Sequence, residues 1–311
     1  MPHAQIQRPA PQATGPAKQS APSPQRTLAA QGYQAQREAL RPTQNPQSGP
    51  QSGPQALPEL QQMSTAVRTP AKGQAFVKGD GDKFSIDPND VFQGALGDCY
   101  LMAALAAVAK TDPLKIANMV RDNQNGTYTV TFHLDRMLSS VRGREVRDVV
   151  VKPEFIYNGA APMYAKEGDR DANSGKVELW VMLVEKAWAQ IKGSYKAIEG
   201  GDPGEAMAMI TGEESDSFTP ADEADGGLER IGKALTDRHP VTAYTGKRDD
   251  WTKEQAAIAA ERVIYGHHAY TVMSTAGGTF ELRNPWGSDH PKALTPAQFK
   301  KLYVRASINR A

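Results

Sequence analysis

Three side chains far apart in the chain are of types that together can open an amide bond. Cys99 is the single cysteine among 311 residues; it follows Gln93-Gly-Ala-Leu-Gly-Asp98 and leads into the apolar run Leu101 to Ala109. A glycine turn feeding a cysteine into the first turn of a buried helix builds a nucleophile. The unpaired N–H groups and partial positive charge of the helix start favour thiolate over thiol. Far downstream, Gly266-His-His-Ala-Tyr-Thr-Val272 offers an imidazole and Leu282-Arg-Asn-Pro-Trp-Gly287 an asparagine. A thiol, a base and an amide that orients the base are the parts of a covalent acyl-transfer site, whose members meet in space and not in sequence.

Each residue also has a plainer reading. A lone cysteine in Ala- and Leu-rich sequence is usually inert core, and an asparagine before Pro285 is usually a turn residue. His267 and His268 cannot both face one cleft, because neighbouring strand residues point to opposite sides. Asp98 reads as a helix cap.

The elements that must carry these residues follow from pattern. Leu101 to Ala109 is apolar on all sides, as in a central helix covered all round, and Pro113 closes its neighbourhood. Thr127 to Leu134 alternates with period two and reads as a half-buried strand. Val146 to Val151 reads as its antiparallel partner, reached through a basic loop at Arg142 to Arg144. A helix is expected over Val177 to Ile191, after Asn173 and Ser174 and ending at Gly193. Two more are expected over Leu228 to Leu235 and Lys253 to Val263. His268 to Met273 and Thr279 to Arg283, around Gly277-Gly278, read as a hairpin. The sum is an α+β protein of two lobes with a cleft between them. The cysteine comes from the helical lobe, the histidine and asparagine from an antiparallel β-sheet lobe.

Composition narrows the partners. The formal net charge of +1 gives no strong pull toward nucleic acid or an anionic membrane. One cysteine allows neither an intramolecular disulfide nor a cysteine-based zinc cluster. No apolar run approaches the roughly 20 residues that span a bilayer, and the start lacks the pattern of a secretory signal peptide. A cytoplasmic protein is the default expectation, with export by a route needing no such signal left open. Residues 1–72 are crowded with Gln, Pro, Ala and Ser and contain one aromatic residue, Tyr33. They are expected to form a disordered tail. It could serve as linker, pro-segment, partner-docking arm or handle for export machinery.

Taken together, Gln93 to Ala107, Glu178 to Gly201, His268-Ala-Tyr and Arg283-Asn-Pro-Trp-Gly287 resemble the protease core of calpains, a branch of the papain-like cysteine proteases. The resemblance runs over roughly residues 76 to 305. It implies a two-lobed papain-like fold over 73–311, with lobes at about 73–205 and about 206–311. The activity it implies is that of a cysteine endopeptidase working on protein or peptide substrates through a thioester. By the same resemblance Cys99 is the nucleophile, His268 the base and Asn284 its orienting partner. Gln93 contributes to the oxyanion hole, Trp286 shields the His–Asn pair and Gly201 meets the substrate backbone. No cofactor is certain. Asp90 and Glu178 match acidic ligands of one calcium site, although Ser85 stands where a glycine is expected. Ser288-Asp-His-Pro-Lys292 replaces an acidic cluster, so a second calcium site is expected to be lost, and Tyr100 stands where tryptophan is usual. Two other functions remain open at this point: a catalytically silent binding module with a protease fold, and a transglutaminase-like thiol acyltransferase. The second usually orients its base with aspartate, whereas this chain offers Asn284.

Overall fold

The computed structural model describes residues 65–79, 84–138, 141–224 and 226–311. The Gln/Pro-rich stretch up to residue 64, and the expectation of disorder attached to it, lie outside the described residues. Backbone pairing begins before the expected boundary at residue 73: strand β1 (Thr65–Arg68) pairs antiparallel with β6 (Phe155–Asn158), to which β7 (Ala161–Pro162) adds. A four-residue strand inside polar sequence leaves too short an alternation to read.

Helix α1 (Cys99–Thr111) is buried at every position from Tyr100 to Ala109. Alanine dominates it, which favours helix and lets neighbours pack closely. Asp112 then accepts the N–H of Leu114 at 3.1 Å and caps α2 (Pro113–Met119). Pro113 therefore opens a helix as its first residue, where a missing N–H costs nothing.

Strands β3 (Val120–Asp122), β4 (Tyr128–Leu138) and β5 (Val141–Val151) form an antiparallel sheet in that order. Leu138 pairs with Val141, so Arg142 to Arg144 lie in the strand and not in a loop. Pairing is a backbone property, and an edge strand tolerates charged side chains.

The expected helix over Val177 to Ile191 is shortened at its start. Val177–Glu178 forms β8, parallel to β2 (Gly73–Gln74), and α3 runs Trp180–Lys192. Gly193, at φ 93°, ends it as expected.

Helix α4 (Pro203–Thr211) is capped by Asp202, whose Oδ1 accepts from Gly204 and Glu205 N–H. Beyond it come β9 (Ser215–Phe218), α5 (Gly227–Thr236), β10 (Val241–Thr245), α6 (Lys253–Arg262), β11 (Ala269–Ser274), β12 (Glu281–Arg283), α7 (Pro296–Leu302) and β13 (Tyr303–Asn309). Five of these strands form one antiparallel sheet in the order β12-β11-β10-β13-β9. The β11–β12 hairpin, α5 and α6 match the sequence reading. It passed over α4, α7, β9, β10 and β13, which are short and pair with partners distant in sequence. No described helix is long and apolar enough to cross a membrane.

Two large buried clusters result. One gathers α1, α3, α4 and β4; the other gathers β10, β11, β13, α5 and α7. Strand β11 straddles them: Ala269 belongs to the first, Tyr270 and Val272 to the second. Thr271, between these, donates its hydroxyl to the carbonyl of Ala103 in α1 at 2.7 Å. Thr271→Val keeps the shape and removes that bond. Its unfolding free energy in urea should fall by about 1 kcal/mol; an unchanged value would show that the bond does not tie the two clusters.

Candidate active site

Asn284 is fully buried, and its carboxamide is held from both ends. Oδ1 accepts the backbone N–H of Trp286 at 3.2 Å, while Nδ2 donates to the carbonyl of Asp289 at 3.3 Å. The oxygen's place is therefore fixed by main-chain groups. His268 Nε2, 3.0 Å from Oδ1, must be the donor in that contact, which leaves Nδ1 of the neutral ring as its free acceptor. The main-chain N–H of His268 donates to Thr245 Oγ1 at 3.1 Å and its carbonyl accepts from Thr245 N–H at 3.0 Å, so β10 anchors the residue. Trp286 lies 4.8 Å from the imidazole, Tyr270 4.9 Å at right angles, and Tyr265 6.3 Å. Enclosed in this way, His268 has a pKa pushed down to about 4 by burial, with the Asn284 bond pulling the other way.

His267 is exposed, at φ 53°, with its N–H on the carbonyl of Gly246. One histidine points inward and the other outward. The cause is the left-handed turn into β11, which starts only at Ala269, and not the strand alternation assumed from sequence.

Cys99 is the first residue of α1 and is half-buried. Its thiol faces the backbone N–H of Ala269, the residue after His268, and that N–H together with those of α1's first turn lowers its pKa. Burial outweighs them and pushes the thiol up to about 11. The helix start acts in the direction expected from the sequence, toward thiolate, and burial opposes it.

Gln93 is buried, and its Nε2 donates to the carbonyl of Leu96 at 2.7 Å, leaving its second hydrogen for another acceptor. Its main-chain N–H reaches across to the carbonyl of Pro285 at 2.9 Å. Beside it, Arg283 donates to the carbonyl of Val91 at 2.6 Å. The segment before the cysteine is thus pinned to the segment that carries Asn284. Gly287, at φ 72°, lies so close to Phe92 that a Cβ would come within 2.2 Å of its ring.

Gly201 packs against Tyr100: a Cβ there would approach the ring to 2.5 Å, and Trp188 Nε1 donates to the Tyr100 hydroxyl at 3.0 Å. Glycine is demanded here by the fold before any substrate is considered. A cleft of about 460 Å³ lined by Gly201, Pro203, Tyr244, Val304 and Arg305 opens beside it.

Residues 74–293 match the model of the calpain family of cysteine proteases. The chain belongs to that family. It is 29% identical over 233 residues to calpain-9 of Homo sapiens, a match covering 68% of this chain and 32% of that protein. To the calpain-2 catalytic subunit of Gallus gallus it is 28% identical over 209 residues, covering 64% and 28%. A calpain-type cysteine protease of Oryza sativa subsp. japonica is 28% identical over 215 residues, covering 66% of this chain and 9% of its own length. The matched region thus spans at most about a third of these relatives.

In this calpain-family chain Asp90 and Glu178 come together from far apart in sequence. Both are buried. Burial, then the other's charge in the case of Glu178, raises their pKa values to about 8 and about 10. Glu178 Oε1 accepts the N–H of Val77 at 3.1 Å; its Oε2 is buried without a hydrogen bond. Asp90 Oδ2 accepts the N–H of Asp87 at 2.6 Å. Carboxylate oxygens are the donor type that calcium takes, and these two side chains would supply part of its ligand set. Among the described residues, no group of three or more His, Cys, Asp and Glu side chains is placed to hold a metal ion.

A second acid pair was not foreseen. Asp98 is the N-cap residue of α1 by position, its carbonyl accepting the N–H groups of Leu101 and Met102 at 2.9 and 3.2 Å, but its side chain makes no capping hydrogen bond. Its fully buried carboxylate is approached by Glu185 of α3 and by Gln93, close enough to pull its pKa down against burial but short of well-formed hydrogen bonds. Glu185 accepts the N–H of Ala165 at 3.0 Å. Burial raises both acids, and the charge of Asp98 raises Glu185 further. Two buried carboxyls in this relation do not both ionise, so at neutral pH one holds its proton. The only signal in the sequence was an acid within the buried stripe of a helix. Because the folded state raises Asp98 from 3.8 to about 7, it binds more protons than the unfolded chain across that window. Stability contributed by the pair is therefore present in acid and lost as pH rises from about 4 to about 7. Asp98→Asn with Glu185→Gln should flatten that stretch of the stability–pH curve in urea unfolding; an unaltered slope would show that the acids are not coupled.

Proposed function

We propose that this chain is a cysteine endopeptidase that cleaves protein or peptide substrates through a thioester on Cys99. The observation that carries this reading is the buried His268 Nε2–Asn284 Oδ1 bond, which holds the imidazole with Nδ1 free just before the strand that lies against the cysteine's helix. His268 Nδ1 accepts the thiol proton, and the sulfur attacks the carbonyl carbon of the scissile bond. Burial disfavours thiolate and imidazolium singly; formed side by side, each is the counter-ion of the other. The tetrahedral oxyanion takes hydrogen bonds from the N–H of Cys99 and the second hydrogen of Gln93 Nε2. His268 then gives its proton to the departing amine, and the acyl group stays on sulfur. Water attacks the thioester, losing its proton to His268, and the acid leaves as the thiol is restored. Trp286 keeps water off the His–Asn bond, and substrate backbone runs past Gly201.

Calcium would be held by Asp90 and Glu178, where it would neutralise two carboxylates that burial otherwise keeps protonated. Its contribution is to the local fold, since neither acid touches Cys99 or His268 by any hydrogen bond.

Unfolded casein tests the activity. The wild type should cleave it in reducing buffer and lose activity on alkylation. Cys99→Ala should be inert, and Asn284→Ala should retain turnover reduced by about 100-fold or less. Equal loss in both would refute the role given to Asn284, and products joined to an added amine would point to acyl transfer. Calcium is tested apart from activity: it should raise the wild-type melting temperature and leave Asp90→Asn with Glu178→Gln unmoved. Equal shifts in the two proteins would place the ion elsewhere.

A further inference from the structure

The stretch Ser288-Asp-His-Pro-Lys292, where the calpain resemblance leads one to expect acidic residues, closes over Asn284. Asn284 N–H donates to His290 Nδ1 at 3.1 Å, beside the bond from Asn284 Nδ2 to the carbonyl of Asp289. Asp289 takes φ 52°, a left-handed turn conformation in which aspartate is enriched among non-glycine residues. Further on, the N–H of Lys292 donates to the carbonyl of Arg262 at 2.9 Å, and Arg262 returns a bond to the carbonyl of Ala293 at 3.1 Å. The loop is thereby fastened to α6 at one end and to Asn284 at the other.

We infer that His290 is a positioning residue: by accepting the Asn284 N–H it fixes the main chain from which the carboxamide reaches His268, and it does so only while Nδ1 is unprotonated. The inference rests on the roles proposed for His268 and Asn284. Asn284 is fully buried, so its N–H has no water to turn to, and losing the acceptor leaves a buried donor unpaired. A neutral imidazole has one acceptor nitrogen; accepting at Nδ1 places the ring proton on Nε2. A second proton would turn Nδ1 into a donor facing a donor. His290 is an exposed residue, so that proton can arrive from solvent. The charges acting on the ring are Arg283, which opposes the imidazolium, and Asp289, which favours it. Burial is the larger influence, and the net effect lowers the pKa below its usual 6.5. The bond is therefore intact at neutral pH and breaks on acidification.

The test compares wild type, His290→Asn and His290→Leu in kcat and KM for a fluorogenic peptide between pH 5 and 8. Asparagine puts Oδ1 where Nδ1 stood and cannot take the second proton. His290→Asn should stay within about threefold of wild type in kcat at neutral pH and show a shallower acid limb. His290→Leu should lose about tenfold in kcat with KM little changed, the effect of one lost hydrogen bond. A leucine variant with the wild-type profile, or an asparagine variant as impaired as leucine, would overturn the inference. If His290→Leu fails to fold, the acid limbs of wild type and His290→Asn decide, and identical limbs refute it. Nitrogen chemical shifts of labelled wild-type protein give a readout without turnover: Nδ1 of His290 should be of the unprotonated type and Nε2 protonated, and the reverse would sink the idea. A wild type that cleaves nothing would overturn the proposed function, while those shifts would still decide whether the bond exists.

Discussion

The hydrogen bond from Thr271 to the carbonyl of Ala103 lies on the seam between strand β11 and helix α1, and the rest of the site is laid out from that seam. Ala103 is one turn beyond Cys99, and Thr271 three residues beyond His268. With this pair fixed, the start of the helix and the start of the strand have little freedom to move apart, and the N–H of Ala269 is left facing the sulfur. Two further cross-links act in the same sense. Gln93 N–H is bound to Pro285 O, and Arg283 to Val91 O. All three have a main-chain carbonyl as acceptor, a group whose position changes only if the backbone itself moves. Cys99 and His268 are therefore positioned by cross-links that end on the backbone.

Burial sets the electrostatic character of the site. The same exclusion of water that pushes the thiol up to about 11 and the imidazole down to about 4 makes each charge costly alone, and it strengthens every dipole aimed at the pair. Asn284 works under this constraint. In water its carboxamide would be one partner among many; fully buried, with both ends taken by main-chain groups, it presents one oxygen in one direction. The aromatic rings of Trp286, Tyr265 and Tyr270 supply the enclosure.

Carboxylates recur beneath the site for a related reason. Asp98 with Glu185, and Asp90 with Glu178, bring acids from the segment before Cys99 against acids on or just before α3. Each pair spans the same junction, and each is too buried for both members to be charged without help. A proton kept by one member serves the first; a cation is proposed for the second. Such groups make the packing of α3 against the Cys99 segment responsive to protons or ions in a way that an apolar contact would not be.

The sequence by itself marked the candidate chemistry and part of the local structure. Cys99, His268 and Asn284 stood out because few residue types can perform nucleophilic attack, proton transfer and base orientation, and their flanking glycines, proline and apolar runs marked helix, strand and turn. Helix α1, the β4–β5 pairing and the β11–β12 hairpin were legible because they rest on contacts close in the chain. Tertiary structure alone decided the start of α3, where pairing of Val177–Glu178 with Gly73–Gln74 overrode helical periodicity. It also decided that the side chain of Asp98 meets another acid, that Gly201 packs against Tyr100, and that His290 accepts from Asn284. Those outcomes depend on which surfaces meet across long stretches of chain. A local pattern records what a segment can do, whereas burial and the partners that satisfy it are settled only when distant segments exclude water together.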